Sequence, residues 1–412
     1  MSAIHRGNLG LKTALWGVAL AVAASSVPGQ AQALSVKLCV ELQTDYADSA
    51  ENFSDGLPDE DNWKTNIPRR ARGIFVHDVY RYTAGFPTVV PDGFTGDGLG
   101  SGDPGKGCTP WFSTSPGWHH VGILSVGAVN GNYVVATRNG SFVDAGGWIY
   151  VSSSGTKVMA FDSELTLANV FNEFHVYSAG AYSIYRHAGG LTGEIFHYAV
   201  GPGTGYNSKD QIIKISDNRS DEKFVISHET GHAIIQRFAN GLANTGRDSA
   251  PVGSCPSEPA TEGHSMRSQE YSAKAFYEGF ANFYAADVWN DDDENDCTLA
   301  YWKDVSGSKR RVDCRDGAGD PLFPKAYLDT QCGGGAGLGT ELDWMRVFWN
   351  VHTTGSRPSF DSMVNWIGDA IIEADAGGDW GDATAYDVLD AAASGDIGDN
   401  WDVAAPAHGI DH

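Results

Sequence analysis

Two histidines four residues apart, in Ile226-Ser227-His228-Glu229-Thr230-Gly231-His232-Ala233-Ile234-Ile235, constrain this chain more than any other stretch. On a helix, residues i and i+4 leave the same face about one turn apart, so two neutral imidazoles there can share one metal ion. Glu229 beside the first of them is then placed to take a proton from water at that metal. The flanking residues predict the helix: Ser220 as N-cap, Asp221 and Glu222 in the positive first turn, and Asn240-Gly241 as the stop. The competing reading is an ordinary amphipathic helix with hydrogen-bonded histidines, and a second stretch downstream weighs against it.

That stretch runs from Tyr271 to Asp287 and carries small residues at Ala275, Gly279, Ala281, Ala285 and Ala286. Small side chains let one helix lie close against another, and Gly231 offers the matching position on the histidine helix. Glu278 and Asn282 are again i and i+4 and point the same way. Glu278 can supply a carboxylate oxygen as third protein ligand beside His228 and His232, while Asn282 can accept the outward N–H of a ligating imidazole and fix its tautomer. Glu262, Glu270, Asp248 and His264 lie between the two helices as rival third ligands, without the small-residue helix around them.

His228-Glu229-x-x-His232 followed by Glu278-Gly279-Phe280-Ala281-Asn282 resembles the zinc metallopeptidases of the gluzincin type, the thermolysin-like and fungalysin-like families. The resemblance covers residues 216 to 290, with a weaker echo of a fungalysin Trp-rich helix in Leu342-Asp343-Trp344-Met345-Arg346-Val347-Phe348-Trp349-Asn350. It implies His228, His232 and Glu278 as zinc ligands and Glu229 as general base and acid. The chain departs from those families at Asn282, where they usually carry Asp. A neutral amide orients an imidazole but lends it no negative charge. A metzincin arrangement is excluded, because Phe238 stands six residues after His232 where a third histidine would be required.

Residues 1–33 read as a secretory signal peptide, with His5, Arg6 and Lys12 before an apolar run from Thr13 to Val27 and a small-residue site at Ala31-Gln32-Ala33. The run is short for a bilayer span, so no membrane association is expected after its removal. Export places the chain in an oxidising compartment, periplasmic or extracellular. The six cysteines, at 39, 108, 255, 297, 314 and 332, then suit three disulfides, with Cys297–Cys314 the most local pairing. A net charge of −24 repels nucleic acid and anionic membranes. The densest acidic run, Asp291-Asp292-Asp293-Glu294-Asn295-Asp296, offers hard oxygen ligands for calcium; a solvated loop is the alternative.

The length suggests two domains, a β-rich region at 34–215 and a helical metallopeptidase domain at 216–412, giving an α+β fold with the zinc site in the cleft between them. Tyr133–Arg138 and Ser141–Asp144 around Asn139-Gly140 form a strong hairpin signal, and Trp148–Val151 and Lys157–Phe161 flank another turn. One helix is expected over 165–185, with Leu167, Val170, Phe174 and Tyr177 at core spacing. Strands at 193–200 and 211–215 lead into the histidine helix, and an edge there suits pairing with an extended peptide. Further helices are expected at 221–240, 268–289, 341–353, 359–374 and 384–393.

Three protein ligands leave a tetrahedral zinc one position for water, which distinguishes a catalytic site from a closed structural one. The expected activity is therefore secreted zinc-dependent endopeptidase action on protein or peptide substrates, with Glu229 moving the proton. A donor must steady the tetrahedral oxyanion. His352, on the apolar face of Met345, Phe348 and Trp349, is the first candidate, ahead of Tyr271, Tyr277, Tyr284, His264 and Arg346. The alternative function is an exported binding or adhesion protein on a degenerate peptidase scaffold, and an amidase acting on cell-wall peptide would share the site and differ in substrate.

Overall fold

The computed structural model describes residues 33–42, 69–70, 74–83, 86–90, 93–94, 108–109, 111–161, 171–245, 266–267, 272–290, 297–301, 310–315, 324–327, 330, 339–380 and 384–410. Residues 1–32 of the segment expected to be a leader, the acidic run at 291–296, Leu167, Val170, Cys255 and Cys332 lie outside them.

Strands dominate the first half: β1 (Leu34–Leu42), β2 (Arg69–Arg70), β3 (Ile74–Thr83), β4 (Phe86–Val90), β5 (Gly93–Phe94), β6 (Phe112–Thr114), β7 (Gly117–Val129), β8 (Asn132–Arg138), β9 (Ser141–Phe142), β10 (Asp144–Val151) and β11 (Gly155–Phe161). Helix α1 (Phe171–Arg186) follows, then β12 (Ile195–Gly201), β13 (Gly205–Asn207), β14 (Ile212–Ser216) and α2 (Lys223–Phe238). The remainder is α3 (Ser272–Trp289), β15 (Thr298–Tyr301), β16 (Arg310–Asp313), α4 (Glu341–Thr353), α5 (Phe360–Gly377), α6 (Ala385–Ala392) and α7 (Gly395–Ala407). The fold is mixed α and β, with the two larger sheets mostly in the N-terminal half and helices mostly in the C-terminal half.

The larger sheet runs β13-β14-β12-β8-β7-β3-β4, with β8, β12 and β14 parallel. A parallel pair needs a crossover, and α1 supplies it between β8 and β12, packing on both and on β7. Alternation makes this possible: Val134 and Ala136, Phe196, Tyr198 and Val200, and Ile213 and Ile215 are buried between more exposed neighbours, except that Thr137 beside Ala136 is buried too. Helix α2 then packs on α1, β13 and β14, so the sheet's last parallel strand feeds directly into the helix that carries both histidines. The Asn139-Gly140 turn has φ of 51° and 74°, as a two-residue hairpin with both central residues left-handed requires, and it joins β8 to β9 as expected. Strands β10 and β11 flank the next turn but enter different sheets, β10 pairing with β7 and β11 running parallel to β1.

The start of α2 differs from expectation. Asp217–Arg219 forms a single 3-10 turn and the Ser220 hydroxyl donates to Asp217 O, so Ser220 is used one turn early. Glu222 becomes the N-cap with no side-chain bond. The stop is as read: Gly241 N–H donates to Gln236 O at 2.7 Å, with Asn240 and Gly241 both left-handed.

Helix α2 is buried from Lys223 to Gln236, and its polar groups are pinned from three sides. Ser227 Oγ meets Ser183 Oγ of α1 and accepts from Trp289 Nε1 of α3, both at 2.8 Å. Tyr198 of β12 reaches Thr230 at 2.8 Å. Tyr284 of α3 donates to Ser183 O and His187 O at the end of α1. The closest approach of α2 and α3 is at Gly231, where a Cβ would fall 2.9 Å from Tyr284 Cβ and 3.0 Å from Ala281 Cα. Gly279, one turn away on α3, faces α4 instead: a Cβ there would lie 2.9 Å from Glu341 O. The small residues of α3 thus serve two neighbours.

The first turn of α4 is held by a capping box between Thr340 and Asp343, and its Trp344, Phe348 and Trp349 are buried. One contiguous apolar core extends from Leu38 of β1 to Ile410 after α7. Helix α7, with Gly395, Gly398 and Pro406 inside it, and the β15–β16 hairpin, lay outside the sequence expectation. Disulfides join Cys39 to Cys108 and Cys297 to Cys314, the second being the local pairing anticipated; both are consistent with an extracellular chain. Among the described residues no helix is long and apolar enough to cross a membrane.

Gly231→Val is expected to lose about 1–3 kcal/mol of stability through overpacking, read by denaturant unfolding. Gly201→Ala, with nothing near the added carbon, should stay within about 0.5 kcal/mol of the parent.

Candidate metal centre

Polar side chains buried on α2 must find partners, and most do so within the protein. Ser227 and Thr230 are bonded as described, and Gln236 Nε2 donates to Gly241 O and Asn244 Oδ1. Lys223 lies over the Trp289 ring, 4.7 Å from its centroid. What remains on the α3 side is His228 and His232, whose Nε2 atoms lie 3.2 Å and 3.1 Å from the same oxygen, Oε2 of Glu278. Their rings are edge to face with centroids 4.6 Å apart. All three residues are buried, and one ligand atom from each lies within 4.8 Å of the others.

The proton count shows why this cluster suits a cation. Asn282 Nδ2 faces Glu341 Oε2 at 3.4 Å, a donor-to-acceptor pairing that leaves Asn282 Oδ1 toward His228 Nδ1 at 2.9 Å. Oδ1 can only accept, so Nδ1 carries a proton, and the neutral form of that ring has its Nε2 lone pair toward Glu278. Burial pushes His232 down to about 4, against the opposing pull of Glu278, so that imidazole is neutral near pH 7. Two ring nitrogens and a carboxylate oxygen thus meet in a buried space where a proton stands between His232 and Glu278 and a divalent ion can take its place. Nitrogen and oxygen donors in this number fit a transition metal with an open position. Among the described residues no fourth His, Cys, Asp or Glu joins the group.

Glu229 is buried on α2 beside the first histidine. Tyr277, one residue before Glu278, stacks on His232 with centroids 4.1 Å apart. Burial, reinforced by the charges of Glu278 and Glu229, holds its phenol well above the ordinary tyrosine range, so it keeps its proton. Of the other candidates for a donor, Tyr284 is committed to α1 carbonyls and Arg346 to Asp313 O and Pro324 O. His264, Tyr271, Glu262, Glu270 and Asp248 lie outside the described residues, as do the Asp291, Asp292 and Asp293 carboxylates read as calcium ligands.

His352 is not brought to the cluster. Its Nδ1 bonds Pro358 O at 2.8 Å and its Nε2 lies 3.3 Å from Asp287 Oδ1, while His187 Nε2 lies 2.8 Å from the other oxygen. Asp287 is nine residues beyond Glu278 on α3, about 13 Å along its axis. The inward apolar face of α4 correctly signals burial, but the histidine answers a buried acid at the far end of α3. Burial alone would raise the Asp287 carboxyl; the two imidazoles outweigh it and hold it below its ordinary value.

Three participants were not read from sequence. Lys274 pairs with Glu278 Oε1, and its position four residues before Glu278 is a spacing signal that could have shown it. Glu341 reaches Asn282 from α4, across 59 residues, with no local cue. Tyr206 stands on β13, which packs against α2, and burial raises its phenol above the ordinary tyrosine value.

The protein is expected to take up a divalent transition metal ion, and His232→Ala or Glu278→Gln to lose it, as measured by elemental analysis after dialysis. Asp287→Asn is expected to cost roughly 3–5 kcal/mol at pH 7 by leaving two imidazoles facing an uncharged group. Because the folded carboxyl is depressed, its stabilisation is present above the unfolded value of 3.8 and fades as pH falls through the folded one. The gap between parent and variant should therefore persist down to pH 4 and close only below it, in thermal unfolding across pH. Compared with known proteins, the chain matches no family model and no curated protein.

Proposed function

We propose that this protein is a secreted zinc-dependent endopeptidase of the gluzincin type, with its site in the cleft between the β-rich and helical parts. The observation that carries the reading is the convergence of His228 Nε2, His232 Nε2 and Glu278 Oε2, with Glu229 next to the first ligand on the same helix. The two motifs that resemble thermolysin-like and fungalysin-like enzymes are the ones the structure brings together. A zinc ion held by these three side chains would keep one position for water and bring that water's proton loss from about pH 16 toward about 7.

Glu229 accepts the proton of the attacking water and returns it to the leaving amine, one carboxylate serving both steps. The tetrahedral oxygen needs a donor. Tyr277 takes that part in place of His352, since it stacks on His232, stays protonated and lies in the field of Glu229. A substrate strand would lie along β13, which pairs with β14 on one side only among the described residues and packs against α2. Main-chain hydrogen bonds along that edge hold a peptide extended whatever its side chains, which suits an endopeptidase.

Glu229→Gln should keep its metal and lose cleavage of casein by at least about a hundredfold. Cleavage by the parent should stop with a chelator and return with zinc. Undiminished hydrolysis by the variant would refute the assignment of Glu229, and metal uptake without any chelator-sensitive cleavage would favour a binding protein on the same scaffold.

A further inference from the structure

We infer that Glu341 is a positioning residue for the metal centre, acting through Asn282 to decide which nitrogen of His228 carries the proton; this rests on the metal-ligand reading of His228. The three side chains form a line of buried groups: His228 Nδ1 to Asn282 Oδ1 at 2.9 Å, then Asn282 Nδ2 to Glu341 Oε2 at 3.4 Å. His228 is 2 % exposed, Asn282 0 % and Glu341 1 %, so solvent cannot substitute for any of them.

An amide is nearly symmetric in shape and can turn either end to a neighbour. Presented to His228 the wrong way round, Nδ2 would seek a lone pair on Nδ1, move the proton to Nε2 and remove the lone pair that faces Glu278. A carboxylate behind the amide removes that freedom, because it accepts and never donates while ionised. The position of Glu341 is itself well determined. It is the first residue of α4, whose opening turn is held by the Thr340–Asp343 capping box, and that turn lies against α3 at Gly279.

Ligating histidines commonly give their outer N–H to a carboxylate. Here the pair does that work in two pieces: Asn282 supplies the contact and Glu341 supplies the charge that orients and polarises it. An acid placed directly at 282 would face Glu341 across 3.4 Å with no proton between them, so the two positions should be coupled, with one charge tolerated and two disfavoured.

The test is a double-mutant cycle on the full chain: parent, Glu341→Gln, Asn282→Asp and the double variant. Zinc affinity is measured by competition with a chromogenic chelator. In metal-free protein, nitrogen NMR of labelled histidine reads the proton position on His228. Glu341→Gln should weaken zinc about tenfold and mix the two neutral forms of His228. Asn282→Asp should also weaken zinc, and the double variant should return to within about twofold of the parent, because the single acid now contacts the imidazole directly. Penalties that simply add, or a Glu341→Gln protein with parental affinity and an unchanged His228 proton, would overturn the inference while leaving the metal centre standing. A parent that binds no zinc would instead overturn the metal centre, and the histidine NMR would still judge the orienting role of Glu341.

Discussion

Electron pairs held against one another in a dry interior are the constraint on which this structure turns. His228, His232 and Glu278 are buried with two ring nitrogens and one carboxylate oxygen gathered together, an arrangement that costs several kcal/mol in a low-dielectric interior unless a cation or proton intervenes. The backbone makes the meeting unavoidable. Gly231 lets α2 and α3 approach until side-chain bulk is the only separation, and the ligating residues lie within a turn or so of that crossing. A larger residue at the crossing would push the helices apart by more than a metal–ligand bond can stretch.

The rest of the molecule holds that crossing still. The parallel strands β8, β12 and β14 deliver the chain to α2, α1 covers their inner face, and hydroxyl and indole groups from α1, β12 and α3 pin the buried face of α2. Polar pins of this kind bring specificity of register that apolar packing alone does not, since each bond is directional and holds only over a narrow range of distance. At the other end of α3, Asp287 ties the close of α1 and the close of α4 through His187 and His352. Helix α3 is therefore fixed at two places, one able to hold an ion and one closed on itself.

Periodic and local signals were legible in the sequence. The histidine spacing, the small residues facing Gly231, the Asn139-Gly140 hairpin, the strands entering α2 and the Cys297–Cys314 pairing all depend on residues near one another in the chain. Ser220 misled because a 3-10 turn competes for the same hydroxyl. Helix α7 was hidden by its glycines and proline, whose poor propensity is overcome by burying Trp401 and Ala405 against the core. His352 and Glu341 mark the limit more clearly. Each sits on the correctly placed α4, yet the partner that defines its role comes from α3, and no pattern within α4 names it.

Lys274 carries a consequence for how the protein matures. Its ammonium engages one oxygen of Glu278 while the other oxygen faces the imidazoles, so the acid's charge is already balanced by a half-exposed base. The polypeptide can thus close around the cluster with no ion in it, so folding does not wait on a cation, and any uptake of one is a separate, later event.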